Sequence, residues 1–232
     1  MTDFNDQMFS APQERIGRLT TFIKTCMEGE PAPKRILDIG CGSGEQLIEI
    51  IGDYSSAKAW GVDISAVNIK NASAHAHDGI TFEVADYMVW SNGQFDLIIS
   101  DSCFHLINME TDDLLKKVAD DTKPGGSVIL TMPTNGMFNR LLFAVRRVLS
   151  FFRCRLLDGM ILLAARILHP NHDVEMLRQR VAYMYIVPTR LWEDDLIRKF
   201  ENLGLSVRRT APMAHSSLGQ AIHAIAFLQK NE

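Results

Sequence analysis

Hydrophobic and polar positions along the chain follow two periods. Short apolar runs recur at Ile36-Leu37 with Ile39, at Ala59-Trp60-Gly61-Val62, at Ile80 to Val84, at Phe95 to Ile99 and at Val128-Ile129-Leu130. Runs of this length, bounded by glycine or polar residues, read as strands buried in a sheet. Between them apolar residues return every three or four positions, as on one face of a helix. The resulting series is a strand at 36–39, a helix at 44–52, a strand at 58–63, a helix at 66–76, strands at 80–84 and 95–99, a helix at 110–121 and a strand at 127–131. Upstream, Ile16, Leu19, Phe22, Ile23, Cys26 and Met27 share one face of a helix that opens at Pro12 and runs to about Glu28, where Gly29, Pro31 and Pro33 stop it. Downstream, Pro133 breaks the fifth strand. The stretch from Asn139 to Leu168 is apolar with helical spacing, His169-Pro170-Asn171-His172 closes it, and a further helix is read from Val174 to Tyr183. An amphipathic helix from Arg190 to Phe200, stopped by Gly204, precedes strands at 205–210 and 221–227. Strand and helix in alternation predict a doubly wound α/β sheet.

Ligands in such sheets bind outside the carboxyl ends of the strands. The first strand runs into Gly40-Cys41-Gly42-Ser43-Gly44, and a helix follows. Glycines there allow positive φ and close approach of backbone to a ligand, and the helix N-terminus presents free N–H groups. The spacing is G-x-G-x-G rather than the dinucleotide G-x-G-x-x-G. Asp38 stands just before the first glycine. Asp63 ends the second strand, where an acid is placed to accept ribose hydroxyls. Asp86 follows the third strand, Ser100 and Asp101 follow the fourth, and Lys123-Pro124-Gly125-Gly126 leads into the fifth.

This combination resembles the class I methyltransferases that use S-adenosylmethionine, closely over residues 34–132 and loosely over 189–229. The resemblance implies a Rossmann-like, seven-stranded methyltransferase sheet whose final strand is antiparallel, with a helical cap inserted after strand five. It divides the chain into an N-terminal lid helix (1–33), a cofactor-binding core (34–132 and 189–232) and a cap (133–188). It implies that Gly40, Cys41, Gly42 and Gly44 hold the methionine part of the cofactor, with Asp38 bracing the loop or the amine. Asp63 would bind the ribose hydroxyls, and Ile64 would pack on the adenine. Asp86 would accept from the adenine amino group and the backbone at Tyr87 would meet a ring nitrogen, while Ser100 and Asp101 lie beside the homocysteine portion. The N-terminal helix fits two readings, a lid across the cofactor or a helix packed on the sheet.

Methyl transfer needs alignment and exclusion of water, and a base only where the acceptor must lose a proton early. His105, after strand four, is the candidate base. Tyr183, Tyr185 and Asn139 in the inserted segment are candidates to line the acceptor pocket, although packing explains them equally well. The inserted segment carries Arg140, Arg146, Arg147, Arg153, Arg155 and Arg166 against Asp158 alone. Such a segment serves either as a cap over a small enclosed acceptor, the reading preferred here, or as a surface that touches anionic lipid and delivers a lipid or quinone acceptor. Relatives of this fold also include an enzyme that cyclises S-adenosylmethionine to azetidine-2-carboxylate and methylthioadenosine; the aromatic cap is compatible with that chemistry too.

Length and charge narrow these readings. At 232 residues the chain suits one elaborated α/β domain. Its net charge of −4 gives no general case for nucleic-acid binding. Cys26, Cys41, Cys103 and Cys154 lie apart with no C-x-x-C, which argues against a metal site or a disulfide framework and suits a reducing cytoplasm. The acidic, polar N-terminus does not read as a secretory signal. The expectation is a cytoplasmic methyltransferase with a small-molecule substrate.

Overall fold

The structure is a computed structural model and describes residues 13–168, 170, 174–213 and 220–232. Seven strands form one sheet: β1 (Arg35–Ile39), β2 (Lys58–Asp63), β3 (Ile80–Val84), β4 (Phe95–Asp101), β5 (Thr122–Pro133), β6 (Leu205–Met213) and β7 (His223–Lys230). Their order is β3-β2-β1-β4-β5-β7-β6. Strands β1 to β5 pair in parallel, and β7 runs antiparallel to both β5 and β6. The strand order reverses between β1 and β4, so a crevice opens at the carboxyl ends of these two strands.

The central strands are apolar on both faces because helices cover both. On one face Leu37, Ile39, Ile98, Val128, Leu130 and Met132 pack with residues of α4 (Thr111–Asp121) and α8 (Asp194–Asn202). On the other, Ile36, Leu97, Ile99 and Ile129 meet α1 (Gln13–Met27) and α2 (Glu45–Asp53). Neighbouring residues of one strand thus enter opposite layers, as the pleat requires. The helix after β2 is α3 (Ala66–Ala74), with Ser65 as its N-cap accepting from Asn68 N–H.

Several boundaries differ from the expectation. The Pro-Gly-Gly turn does not precede β5 but lies inside it. The pairing with β4 jumps from Phe95↔Thr122 to Leu97↔Ser127, and Gly125 takes φ +71° in the extra residues. Pro133 does not break β5 early; it still pairs with His223. The inserted apolar stretch is two helices, α5 (Met137–Phe151) and α6 (Arg155–Leu168), with the chain bending between them. Of the closing His169-Pro170-Asn171-His172, only Pro170 lies within the described residues, and the helix opening at Pro12 likewise begins outside them. The next helix, α7, spans Val174–Val181 and tightens into a 3-10 turn, Ala182–Tyr185.

Helix α1 packs on the sheet and also reaches the crevice. Leu19, Phe22, Ile23, Cys26 and Met27 pack in the core, and the first turn sends Arg15 to Asp101 at the crevice.

Candidate active site

The carboxyl end of β1 carries the glycine turn. Gly40 and Cys41 N–H both donate to Val62 O, at 2.8 and 3.1 Å, and Gly42 N–H donates to Asp63 Oδ2 at 2.9 Å. The other oxygen of Asp63 accepts from Ser65 N–H at 2.8 Å. Asp63 therefore braces the turn, and a carboxylate oxygen with one bond still accepts another. Gly40 has φ +72°, and a Cβ there would stand 2.2 Å from Cys103 Sγ. Only glycine fits, because the residues after β4 press against the turn from below. The thiols beside it are not nucleophiles: burial, with Asp63 and Asp38 nearby, pushes Cys103 up to about 12, and burial likewise raises Cys41.

Asp38 is 2 % exposed and has no hydrogen-bond partner among the described residues. Burial, reinforced by Asp101 and Asp63, pushes its carboxyl up to about 8. A buried acid without a donor is expensive unless a ligand supplies one. Asp101, at the end of β4, shows the contrast. Burial works against its charge too, but the Arg15 guanidinium and the Thr131 hydroxyl outweigh it and hold the carboxyl below its usual range. Arg15 grips it through Nε at 2.9 Å and Nη2 at 2.6 Å, and Thr131 Oγ1 also donates to it. The next residue, Ser102, is a non-glycine at φ +57°, held there by its N–H donating to Thr131 Oγ1 at 2.8 Å and by Arg15 on its hydroxyl. Strain of this kind collects at functional sites.

On the β5–β7 side two imidazoles meet. His105 lies in the 3-10 turn Phe104–Leu106, and His223 opens β7; their rings are 5.6 Å apart, edge to face. Burial, followed by mutual influence and nearby Arg15, holds His105 well below 6.5, and burial with Arg15 brings His223 down to about 4. Both are neutral near pH 7. His223 Nδ1 meets Ala221 O at 2.9 Å, whereas the buried Nδ1 of His105 has no partner. The His105 segment is fixed from outside. Arg190 donates to Phe104 O, Ile107 O and Met109 O at 2.7, 3.0 and 2.6 Å, and Thr189 donates to His105 O through both N–H and Oγ1.

A family model described as methyltransferase domain matches residues 36–126. The trans-aconitate 2-methyltransferase of Deinococcus radiodurans is 30% identical over 101 residues, covering 44% of this chain and 38% of that protein. The malonyl-[acyl-carrier protein] O-methyltransferase of Priestia megaterium is 32% identical over 108 residues, covering 46% and 39%. The chain spans about two fifths of the length of these two relatives. Among solved structures, magnesium protoporphyrin IX methyltransferase from Synechocystis PCC 6803 with bound S-adenosylhomocysteine superposes with a TM-score of 0.63 at 15% identity, over 94% of this chain and 83% of that one. Residues 36–126 are thus similar to the methyltransferase domain, and the chain has the fold of this solved methyltransferase.

The residues expected from the sequence fall at this site as follows. Asp38, Gly40, Cys41, Gly42, Gly44, Asp63 and Asp101 all lie on or beside the glycine turn and the adjoining strand ends. Ile64 is 42% exposed, as a residue offered to a flat ligand must be. Asp86 is exposed at the end of β3 and caps its own turn through Met88 N–H at 2.9 Å. Tyr87 can contribute backbone only, since its ring is buried and its hydroxyl donates to Asp121 at 2.8 Å. Ser100 is fully buried and donates to Ile39 O at 3.0 Å, tying β4 to β1.

The proposed acceptor residues divide. Tyr183 is 39% exposed, and its hydroxyl is close enough to Arg15 to influence it. Tyr185 is buried and donates to Asp158 at 2.6 Å, under the Arg153 guanidinium, which pins α6. Asn139 is fully buried. Its amide nitrogen donates to Thr134 O, Thr134 Oγ1 and Ile222 O, and its oxygen accepts from Ile222 N–H. That amide clamps the end of β5 to the start of β7 and has no donor left for a substrate.

Arg15, Ser102, Thr131, Thr189, Arg190 and His223 were missed in the sequence. Only His223 had a usable signal: an antiparallel last strand begins at the edge where its parallel neighbours end.

Proposed function

We propose that the chain is an S-adenosylmethionine-dependent methyltransferase acting on a small-molecule acceptor and releasing S-adenosylhomocysteine. The observation that carries this reading is Asp38, a buried carboxyl without a donor at the switch point, beside a turn whose glycine cradle a Cβ would fill. The residues present fit the group. Asp38 would accept from the ammonium of its methionine part, Asp63 would accept from the ribose hydroxyls, and Asp86 and Ile64 would take the adenine. The bound cofactor supplies a methyl group already activated on a sulfonium.

The remaining work falls to orientation and dryness. His105 Nδ1 can accept a hydrogen bond from the acceptor and fix its reacting atom. Its depressed pKa makes it a weak base, suited to taking a proton that methylation has already acidified rather than removing one beforehand. Arg190 and Thr189 hold that imidazole in place, and His223 backs it. Relatives named for methylating trans-aconitate and a malonyl carrier support acceptors bearing a carboxylate.

The test is incubation of pure protein with S-adenosylmethionine, first alone and then with a panel of small carboxylic acids, followed by mass spectrometry. Acceptor-dependent S-adenosylhomocysteine supports the reading. Methylthioadenosine formed from S-adenosylmethionine alone would overturn it in favour of cofactor cyclisation.

A further inference from the structure

Helices α5 and α6 carry most of the large apolar surface the protein leaves uncovered. Among the described residues, twelve of the seventeen exposed large hydrophobics lie between 137 and 168. They are ordered. Met137, Leu141, Val145, Val148 and Phe152 recur at spacings of four and three, and so form one stripe along α5. Leu156, Met160, Leu163 and Ile167 form a second stripe along α6, which has no buried residue. Leu141, Phe152, Leu156 and Ile167 are 67, 64, 75 and 72% exposed. The opposite face of α5, with Asn139, Phe143 and Arg146, is the buried one, and Arg146 acts on both imidazoles. The helix that backs the candidate acceptor site thus presents an oily stripe outward.

Charge decides what covers the stripes. Arg140 and Arg147, seven residues apart, run along one edge of the first; Arg155 and Arg166, eleven apart, run along one edge of the second. All four are exposed and none has a carboxylate partner among the described residues. Asp158, the one acid of the pair, is engaged by Tyr185. This cation-rich segment stands in a chain of net charge −4. A second copy docking by two-fold symmetry would set these arginines against each other. An anionic lipid surface meets both features together, headgroups at the arginines and acyl chains at the stripes. No described helix is long and apolar enough to cross a membrane.

We propose that α5 and α6 lie flat on an anionic lipid surface, apolar stripes inward and Arg140, Arg147, Arg155 and Arg166 among the headgroups. With the methyl transfer proposed above, on which only the choice of acceptor rests, the surface suits an acceptor drawn from the lipid phase.

The experiment is flotation of the full chain with vesicles, read without cofactor or acceptor, so that its outcome is independent of catalysis. We expect binding to phosphatidylglycerol-containing vesicles to exceed binding to pure phosphatidylcholine by about tenfold or more, and to weaken with salt. Leu156→Ser with Leu163→Ser, both on the exposed stripe, abolishes flotation at unchanged melting temperature. Arg140, Arg147, Arg155 and Arg166 changed to Glu do the same, whereas the same four changed to Lys retain binding. A folded chain that stays in solution, or binds both vesicles equally, overturns the proposal. So does a dimer in light scattering that the serine variants dissolve without any flotation, or capture of an acidic carrier protein in place of vesicles.

Discussion

Asp38 and Gly40, two residues apart, show what a single side chain costs and contributes here. The Asp38 carboxyl, raised to about 8 by burial and by Asp101 and Asp63, holds its proton at neutral pH. A ligand ammonium reverses that preference, so binding of S-adenosylmethionine at pH 7 should release close to one proton. Calorimetry in buffers of different ionisation enthalpy reads this directly. Asp38→Asn removes the release and weakens binding by about 1.5–3 kcal/mol, the worth of a hydrogen bond to a charged group, or roughly tenfold to hundredfold in Kd. Gly40→Ala fails for a different reason. The left-handed backbone costs an alanine about 1–2 kcal/mol, and its Cβ would overlap both Sγ and Cβ of Cys103. Thermal denaturation should show the loss, and Cys103→Ser should not repair it, because the Cys103 Cβ at 2.4 Å would remain.

At the scale of elements, local pattern and long-range contact part company. β1, β2, β3 and their helices were legible because each is a short apolar run ended by its own glycine or acid; Asp63 closes β2 in the sequence as it does in the fold. Helix α1 was legible as a helix, but not its reach to the crevice, since Arg15 and Asp101 are 86 positions apart. The bend between α5 and α6 had no mark either: neither proline nor an early glycine stands between Phe151 and Arg155. Nor did the sequence separate Asn139 the clamp from Asn139 the ligand, because two hydrogen bonds to the backbone of Ile222, 83 positions away, decide it. Arg190 belongs to the same class. It orders the turn carrying His105 by donating to three carbonyls, and Arg190→Ala would strand them at a cost of about 2 kcal/mol. We expect that variant to lower the melting temperature and kcat while leaving cofactor Kd nearly unchanged; a loss of cofactor affinity equal to the loss of kcat would contradict a role confined to the His105 turn.

For the whole molecule, buried titratable groups set a stability profile. His105 and His223 are held neutral in the fold, His223 down to about 4, against a usual value of 6.5. Between those values the unfolded chain binds protons the folded chain refuses, so stability falls as the pH falls. Asp38 works in the opposite sense. Folded, it keeps until about pH 8 a proton that the unfolded chain loses near 3.8, so stability falls as the pH rises through that window. Two groups outweigh one on the acid side and Asp38 acts alone above about 6.5. The cofactor-free chain is therefore most stable close to neutrality, and melting temperature against pH should show it. His223→Asn flattens the acid limb and Asp38→Asn the alkaline one.

Asn139 binds Ile222 through both ends of its amide, and Ile222 is the neighbour of His223. The same asparagine belongs to the helix whose other side is the oily stripe. Outer surface and inner imidazole are thus two arms of one bracket. A load taken up by the helices as proposed would reach the start of β7, and with it His223, through Asn139, so that attachment and the proposed site would stand mechanically in series.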